Sequence, residues 1–163
     1  MFTPAHFLWM ALCAAAVAAQ YRFSVRRLAP RQAGRVMTVI CVLSEGSKIL
    51  SNMVPAVEGG MHLNPKYLPL HLCSLMLFVV LYLTFGPEGR LRQRLTDFLA
   101  VVGVIGSVCA ILIPTNGTDF TDIQAYQCFV YHAGLLWFAL YQIGAKQAQL
   151  GSLRSLGGTL ALL

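Results

Sequence analysis

Five long apolar segments dominate the sequence, and they limit the folds that the chain can adopt. The segments cover about residues 4–21, 36–54, 67–85, 95–114 and 125–144. A helix rises about 1.5 Å per residue, so each segment is long enough to cross a hydrocarbon core of roughly 30 Å. No period-two alternation of a membrane barrel is present, and helices are the other fold that satisfies every backbone polar group in lipid. The sequence therefore predicts an all-α polytopic transmembrane helix bundle, with residues 1–163 forming a single domain.

The composition is also typical of a membrane protein. Of the 163 residues, 57% are hydrophobic and 11% are charged, whereas soluble domains are about one quarter charged. The net charge is +6, but the basic residues lie between the apolar segments. We therefore expect membrane lipids as partners and no nucleic acid. The five cysteines all lie within apolar segments, which is not the pattern of a disulfide framework.

Both ends of the chain carry apolar sequence. The N-terminal segment resembles a signal peptide, but no positive charge precedes it and five arginines follow it. We therefore expect a first transmembrane helix that is retained. At the other end, "SLGGTLALL" at 155–163 resembles the beginning of a sixth helix that is cut short.

Basic residues alternate between the connections and predict the orientation. The first connection contains five arginines, the third contains three, and the fifth contains Lys146 and Arg154. The second has the single basic residue Lys66, and the fourth has two aspartates and no basic residue. By the positive-inside rule we expect the N-terminus to lie outside.

The second segment contains polar residues that a membrane helix seldom exposes to lipid. In "CVLSEGSKILSNM" the polar residues recur every three or four positions, which places Glu45, Lys48 and Asn52 on one helical face. An ionisable group in a span costs roughly 2.5–3.5 kcal/mol on insertion scales, so this face is expected to point inward. Glu45 and Lys48 are spaced to form an ion pair. One alternative is a purely structural pair that joins this helix to a neighbour.

Depth along the helices brings further polar residues to the same level. Counted from the outer surface, Cys73, Lys48 and His132 lie roughly 9–10 Å deep and Glu45 about 13 Å. Asn52 and His71 lie nearer the surface by the same count. We therefore predict a polar cavity that opens outward and is lined by Glu45, Lys48, Asn52 and His71.

Cys73 and His132 are the predicted catalytic residues within this layer. His71 is two residues from Cys73 and points about 200° away on a regular helix, so it is not a local partner. His132 lies at the matching depth, although Cys128 competes for it from one turn earlier. A thiol beside a neutral imidazole can form the thiolate that covalent acyl transfer requires.

Other interpretations of the histidines remain open. His132 could instead donate to a backbone carbonyl, or bond to Tyr82 or Tyr141, and only order the core. Two histidines without further ligands at metal-binding spacing are poor support for a metal or haem site, so we expect no metal and no cofactor.

Three motifs carry a resemblance to a known family. At "LPLHLCS" (68–74), "AILIP" (110–114) and "FVYHAGLLW" (129–137), the chain resembles the YwaF family of small integral membrane proteins. That family is similar to animal transmembrane acyltransferases that move fatty acyl chains onto ether lysophospholipids. The resemblance covers most of the chain from the second segment to the fifth. It implies a lipid acyltransferase in which Cys73 and His132 are the catalytic pair.

The sequence also permits two functions of other classes. A transporter or a solute- or lipid-binding protein would use Glu45, Lys48, His71 and His132 to line a solute or proton path, since intramembrane ionisable residues often mark such paths. A partner subunit with a structural polar core is the third possibility. Enzymatic activity is therefore the leading hypothesis and not the only one.

Overall fold

The described part of the chain is entirely helical. The structure is a computed structural model that describes residues 2–53, 72–114 and 117–149, and these residues form five α-helices. In chain order they are α1 (Pro4–Arg27), α2 (Pro30–Met53), α3 (Leu72–Phe85), α4 (Arg90–Leu112) and α5 (Ile123–Gly144). The all-α prediction is confirmed for these residues. The predicted start of the third segment at 67–71 and the predicted sixth helix at 155–163 lie outside them.

The helices begin where the sequence supplies capping groups. The Thr3 hydroxyl accepts a hydrogen bond from the His6 N–H at 3.3 Å, and Pro4 follows at the first helical position. The Asp122 carboxylate accepts from the Gln124 N–H at 2.8 Å and caps α5 in the same way. These side chains satisfy backbone donors that have no partner inside the helix.

Several helices run beyond the predicted apolar segments. The segment 4–21 becomes a helix that continues to Arg27, and the segment 36–54 becomes a helix that begins at Pro30. Arginine is a good helix former, so the helices continue through the arginine-rich connections after the apolar pattern ends. Hydropathy therefore located these helices correctly and underestimated their length.

Helix α5 is the centre of the bundle. It packs against α1, α2 and α4, while α3 packs against α2 and α4. The main core cluster combines aromatic side chains of α5 with apolar side chains of its neighbours: Met37, Cys41, Met76, Val80, Leu99, Tyr131, Trp137, Phe138 and Tyr141. A polar side chain on the inner face of α5 therefore lies within reach of several helices.

Helices α2 and α3 come close together at Gly34. A Cβ atom at this position would lie 2.5 Å from Thr84 Oγ1. The Thr84 hydroxyl donates to the Val80 carbonyl at 2.7 Å and lies 3.3 Å from Thr38 Oγ1, so it is held in place. Gly46, in the same helix, has open space where its Cβ would be. Gly34 is therefore required for close packing, whereas Gly46 is not.

One end of the bundle carries the arginine-rich connections. Glu88 lies 3.6 Å from Arg31 and 3.2 Å from Arg92, so the α1–α2 and α3–α4 connections are adjacent. Trp137 Nε1 donates to Ser24 Oγ at 2.9 Å, which brings the second half of α5 to the same end. We call this the basic end.

The opposite end contains the start of α1 and the end of α4. Thr3 Oγ1 lies 3.1 Å from Thr118 Oγ1, and His6 Nε2 donates to the Ile111 carbonyl at 2.9 Å. The adjacent connection carries Asp119 and Asp122. We call this the acidic end. The basic and acidic connections that the structure describes thus lie at two different ends of one bundle.

The bundle exposes many large apolar side chains and buries several ionisable ones. Large apolar side chains are exposed on every helix, including Leu12, Leu43, Phe78, Ile105 and Val130. Ionisable side chains are buried, among them Glu45, Asp97 and His132. Soluble monomers rarely expose extended apolar surface, so this distribution is typical of a bundle surrounded by lipid.

Length and hydropathy alone identify fewer spans than the sequence predicts. Within the described residues, Pro4–Arg27 and Arg90–Leu112 are long and apolar enough to cross a membrane. The apolar helix Ser74–Phe85 is shorter. Charged residues lower the mean hydropathy of α2, which contains Arg31, Arg35, Glu45 and Lys48. Two candidate spans are therefore found where five are predicted.

Candidate functional site

Glu45 and Lys48 form the predicted ion pair. Lys48 Nζ lies 2.6 Å from Glu45 Oε2 across one turn of α2. The side chains are 17% exposed for Lys48 and 7% for Glu45, so the pair lies largely within the bundle. Removing two charges from water is costly, and the close contact offsets part of that cost.

Ser74 connects this ion pair to the next helix. Its hydroxyl donates to Glu45 Oε1 at 2.9 Å and accepts from Lys48 Nζ at 3.1 Å. Ser74 is buried in the first turn of α3, directly after Cys73. Three polar side chains from two helices therefore form one network, which we call the α2–α3 network.

The sequence analysis missed Ser74 as a site residue. It stands in the motif "LPLHLCS" beside Cys73, and it is a small polar residue at the start of an otherwise apolar helix. Its depth also matches that of Lys48 when both helices are counted from the same surface. Those two signals would have been sufficient to include it.

The carboxylate of Glu45 also acts on two other titratable side chains. It lies close enough to interact electrostatically with Cys41, one turn earlier in α2, and with His132 in α5. Both side chains are buried. The structure shows the contact between Glu45 and Lys48, while the arrangement of the whole predicted site stays a prediction.

One nitrogen of the His132 ring forms a hydrogen bond, and the other has no partner among the described residues. Nδ1 lies 2.7 Å from the Cys128 carbonyl oxygen. A carbonyl oxygen only accepts hydrogen bonds, so Nδ1 carries the proton and the neutral ring has its lone pair on Nε2. Nε2 is buried and has no hydrogen-bond partner among the described residues. The structure therefore presents a base at Nε2.

Cys128 lies near His132, but its thiol is beside Nδ1, the ring nitrogen that carries the proton. Its Sγ is 3.7 Å from Nδ1, the nitrogen that already donates to the Cys128 carbonyl. A protonated nitrogen cannot accept the thiol proton. Cys128 is therefore a poor candidate for the thiol that His132 deprotonates.

The remaining predicted residues fall at or beyond the edge of the described chain. Cys73 belongs to the first turn of α3 and Asn52 to the last turn of α2, and both side chains lie outside the described part. His71 lies outside it entirely. The distance between Cys73 and His132, and the outward-opening cavity, stay predictions. The Tyr141 hydroxyl, which the sequence analysis offered as an alternative partner of His132, donates to the Leu28 carbonyl at 2.8 Å, at the basic end.

A second buried carboxylate was also missed. Asp97 in α4 accepts from Gln93 Nε2 at 3.0 Å and from the Gln149 N–H at 2.7 Å. Gln93 Nε2 also lies 2.9 Å from the Gln147 carbonyl. Asp97 therefore fixes the backbone that follows α5, at the basic end and away from His132. An acidic residue inside an apolar segment was the signal for it.

An apolar cavity lies between α1, α2 and α5. Its volume is about 210 Å³. The lining is almost entirely apolar and consists of Trp9, Leu12, Cys13, Ala16, Val17, Gln20, Ile40, Phe129, Val130, Ala133 and Gly134. We call it the lateral groove. Of the predicted site residues whose side chains the structure describes, Glu45, Lys48 and His132 do not line it.

The described residues offer no cluster suited to a metal. Across residues 2–53, 72–114 and 117–149, no three His, Cys, Asp or Glu side chains are close enough to hold an ion.

The relationship of the chain to known proteins comes from one protein family. Comparisons with curated proteins and with solved structures each gave no match. The model of the TMEM164 family matches residues 1–162, which include both helices that are apolar enough to cross a membrane. The family and those helices indicate a membrane protein, while the resemblance to YwaF and to acyltransferases stays a prediction. Since the match extends over nearly the whole sequence, the chain belongs to the TMEM164 family.

Proposed function

We propose that all five helices cross the membrane, with the basic end in the cytoplasm and the N-terminus outside. The apolar outer faces support this proposal for the helices with lower hydropathy: Leu43 of α2 and Val130 of α5 are exposed, whereas Glu45 and His132 are buried. Basic residues next to spans favour the cytoplasmic side. For a bacterial protein, as the resemblance implies, this is the cell membrane.

Labelling of single cysteines in intact cells tests this topology. In a cysteine-free background, Asp119→Cys at the acidic end should react with a thiol reagent that does not cross membranes. Glu88→Cys at the basic end should react only after the cells are opened. Reaction of Glu88→Cys in sealed cells would refute the orientation.

We further propose that the protein transfers acyl groups between membrane lipids. The observation that carries the proposal is the buried His132 ring, whose Nε2 lone pair has no partner within the described residues while Nδ1 is held by the Cys128 carbonyl. This is the arrangement of a general base oriented by its second nitrogen. Cys73 directly precedes Ser74, whose hydroxyl contacts Glu45, and Glu45 acts electrostatically on His132.

Acyl transfer would proceed in two steps, through a thioester on Cys73. His132 Nε2 takes the proton of the Cys73 thiol, and the thiolate attacks the ester carbonyl of a donor phospholipid. The carbon–oxygen ester bond breaks, a thioester forms, and the leaving lysophospholipid oxygen takes the proton back from the imidazolium. In the second step Nε2 removes the proton of an acceptor lysophospholipid hydroxyl, which attacks the thioester and frees the Cys73 thiol.

The α2–α3 network has a supporting role in this proposal. Glu45, held by Ser74 and Lys48, would supply a fixed negative charge at this depth of the bundle. Lys48, whose ammonium contacts Glu45 and Ser74, would bind the phosphate of the lipid headgroup. Asn52 and His71 would line the entrance to the same cavity.

Acyl exchange between labelled phospholipid and lysophospholipid tests this function in reconstituted vesicles. Cys73→Ser should abolish exchange, and His132→Asn should reduce it by about 10²–10⁴-fold, the usual contribution of a general base. Asn keeps an N–H donor for the Cys128 carbonyl and removes the base. Cys109→Ser, at an exposed cysteine of α4, is the matched control and should be fully active. Unchanged exchange in Cys73→Ser would refute the proposal.

A transporter is the alternative supported by a separate observation. The buried contact between Glu45 and Lys48, with His132 close by, is the kind of ionisable chain that lines proton or solute paths. A transporter would lose flux in Glu45→Gln and keep it in Cys73→Ser. The acyltransferase shows the reverse sensitivity to Cys73, so one pair of variants separates the two functions.

A further inference from the structure

The last two turns of α1 carry a pocket lined by cations at the basic end. The pocket has a volume of about 400 Å³, and its lining residues are Tyr21, Arg22, Val25 and Arg26. These positions are one and four residues apart, so they share one side of the helix. Ser24 lies away from this side and is buried in the bundle, where its hydroxyl accepts from Trp137 Nε1. The pocket, which we call the basic pocket, therefore opens to the outside of the bundle.

Two walls of the basic pocket are fixed by packing. Tyr21 and Val25 pack against the main core cluster. The Tyr21 hydroxyl also lies against Gly144 at the end of α5, so closely that a Cβ atom at Gly144 would clash with it. Arg22 and Arg26, in contrast, are exposed. The pocket thus holds two cationic side chains beside two walls whose positions the core determines.

The positive charge of the basic pocket is not balanced within the described chain. Arg22 and Arg26 are four residues apart on one helix, where like charges repel each other. Across residues 2–53, 72–114 and 117–149, neither arginine forms an ion pair with a carboxylate. Glu88, an exposed carboxylate at the basic end, contacts Arg31 and Arg92 instead. An anion from outside the chain would relieve the repulsion in the pocket.

The level of the basic pocket along α1 matches that of lipid headgroups. Arg22 follows Pro4, the first residue of the helix, by eighteen residues, which corresponds to about 27 Å along the axis. The hydrocarbon core of a bilayer is roughly 30 Å thick. If α1 crosses the membrane as proposed above, Arg22 lies at the boundary of that core. Arg26 then lies about 6 Å further out, among the phosphates.

We propose that the basic pocket binds the phosphate of one anionic phospholipid from the leaflet at the basic end. The guanidinium groups of Arg22 and Arg26 donate to the phosphate oxygens, a geometry that suits arginine. The Tyr21 ring and Val25 contact the glycerol and the first methylene groups of the lipid. The inference rests on the proposed topology and not on the proposed acyl transfer. His132 and the α2–α3 network do not line the pocket, so it holds a resident lipid and not the substrate.

The lipid that the purified protein retains tests the proposal. The full chain is reconstituted in vesicles of equal phosphatidylglycerol and phosphatidylcholine, extracted in mild detergent and measured by native mass spectrometry. The wild type should keep one phosphatidylglycerol per chain. The double variant Arg22→Gln with Arg26→Gln should lower the ratio of bound phosphatidylglycerol to phosphatidylcholine about 25-fold, about fivefold for each arginine near a membrane surface.

Arg90→Gln with Arg94→Gln is the matched control. It removes the same charge from exposed arginines that begin α4 at the basic end and do not line the pocket, so the ratio should stay nearly unchanged. The thermal unfolding midpoint of each variant shows whether it is folded. Cys73→Ser, which removes the proposed chemistry, should retain the lipid as the wild type does. Failure of the acyl transfer and failure of the basic pocket are therefore distinguishable.

Three results would overturn the proposal. An equal loss in both double variants would show a diffuse attraction of the whole basic end. A wild type without preference for phosphatidylglycerol would show that the pocket selects no anionic lipid. Release of the lipid by inorganic phosphate, but not by chloride at equal ionic strength, would show a site for free phosphate.

Discussion

Replacement of Glu45 tests whether the α2–α3 network neutralises its own charges. Glu45→Gln keeps the size of the side chain and an oxygen that accepts from Ser74, but it removes the charge that balances Lys48. The Lys48 ammonium would then lose this carboxylate while it stays largely buried, since the Lys48 side chain is only 17% exposed. Replacing both residues, as Glu45→Gln with Lys48→Met, removes the unbalanced charge as well.

The expected magnitudes follow from the burial of the pair. Breaking a buried ion pair costs about 3–5 kcal/mol. The partial exposure of Lys48 favours the lower limit, about 3 kcal/mol for either single replacement. Independent effects would then add to roughly 6 kcal/mol in the double variant. We instead expect the double variant to lose only about 1 kcal/mol, because it leaves no isolated charge.

Thermal unfolding in mild detergent provides the assay. At about 2–4 °C per kcal/mol for a chain of this size, Glu45→Gln should lower the unfolding midpoint by about 6–12 °C and the double variant by about 2–4 °C. Arg31→Gln is the control, because the Arg31–Glu88 pair is 59% and 72% exposed and an exposed pair contributes little. A double variant at least as unstable as Glu45→Gln would show that the two charges act separately.

Two further pairs of variants test the packing. Gly34→Ala should lower stability by about 1–3 kcal/mol through its clash with α3, whereas Gly46→Ala, in open space on the same helix, should raise it by up to about 1 kcal/mol. A destabilising Gly46→Ala would contradict this explanation. Trp137→Phe should cost about 1–2 kcal/mol through loss of a buried hydrogen bond. Trp9→Phe should cost less, since its Nε1 has no partner in the described part of the chain; equal losses would count against the assignment.

The helices and their order followed directly from the sequence. Apolar segments of about twenty residues must form helices in lipid, because the backbone has no other partners there. The spacing of Glu45 and Lys48 predicted their contact because residues three apart are adjacent on a helix. Depth counting predicts His132 at nearly the same level as Glu45, because the rise per residue is the same in every helix.

Other features depend on packing that spacing does not encode. Nothing in the sequence shows that α5 is central, since that depends on which apolar faces fit together across helices. The hydrogen bond from His132 Nδ1 to the Cys128 carbonyl depends on one rotamer. The lateral groove is lined by residues of α1, α2 and α5, so it depends on how three helices pack and cannot be predicted from one segment.

The intact mass of the protein after incubation with phospholipid tests the proposed chemistry most directly. The purified chain, mixed with a phospholipid of one defined acyl chain, should gain the mass of that acyl group. Peptide mapping should locate the group on Cys73, and neutral hydroxylamine should release it, because it is a thioester. Cys73→Ser should give no hydroxylamine-sensitive adduct, and Cys109→Ser should behave as the wild type. An acyl group on Cys128 instead of Cys73, or no adduct under conditions in which acyl exchange proceeds, would contradict the account.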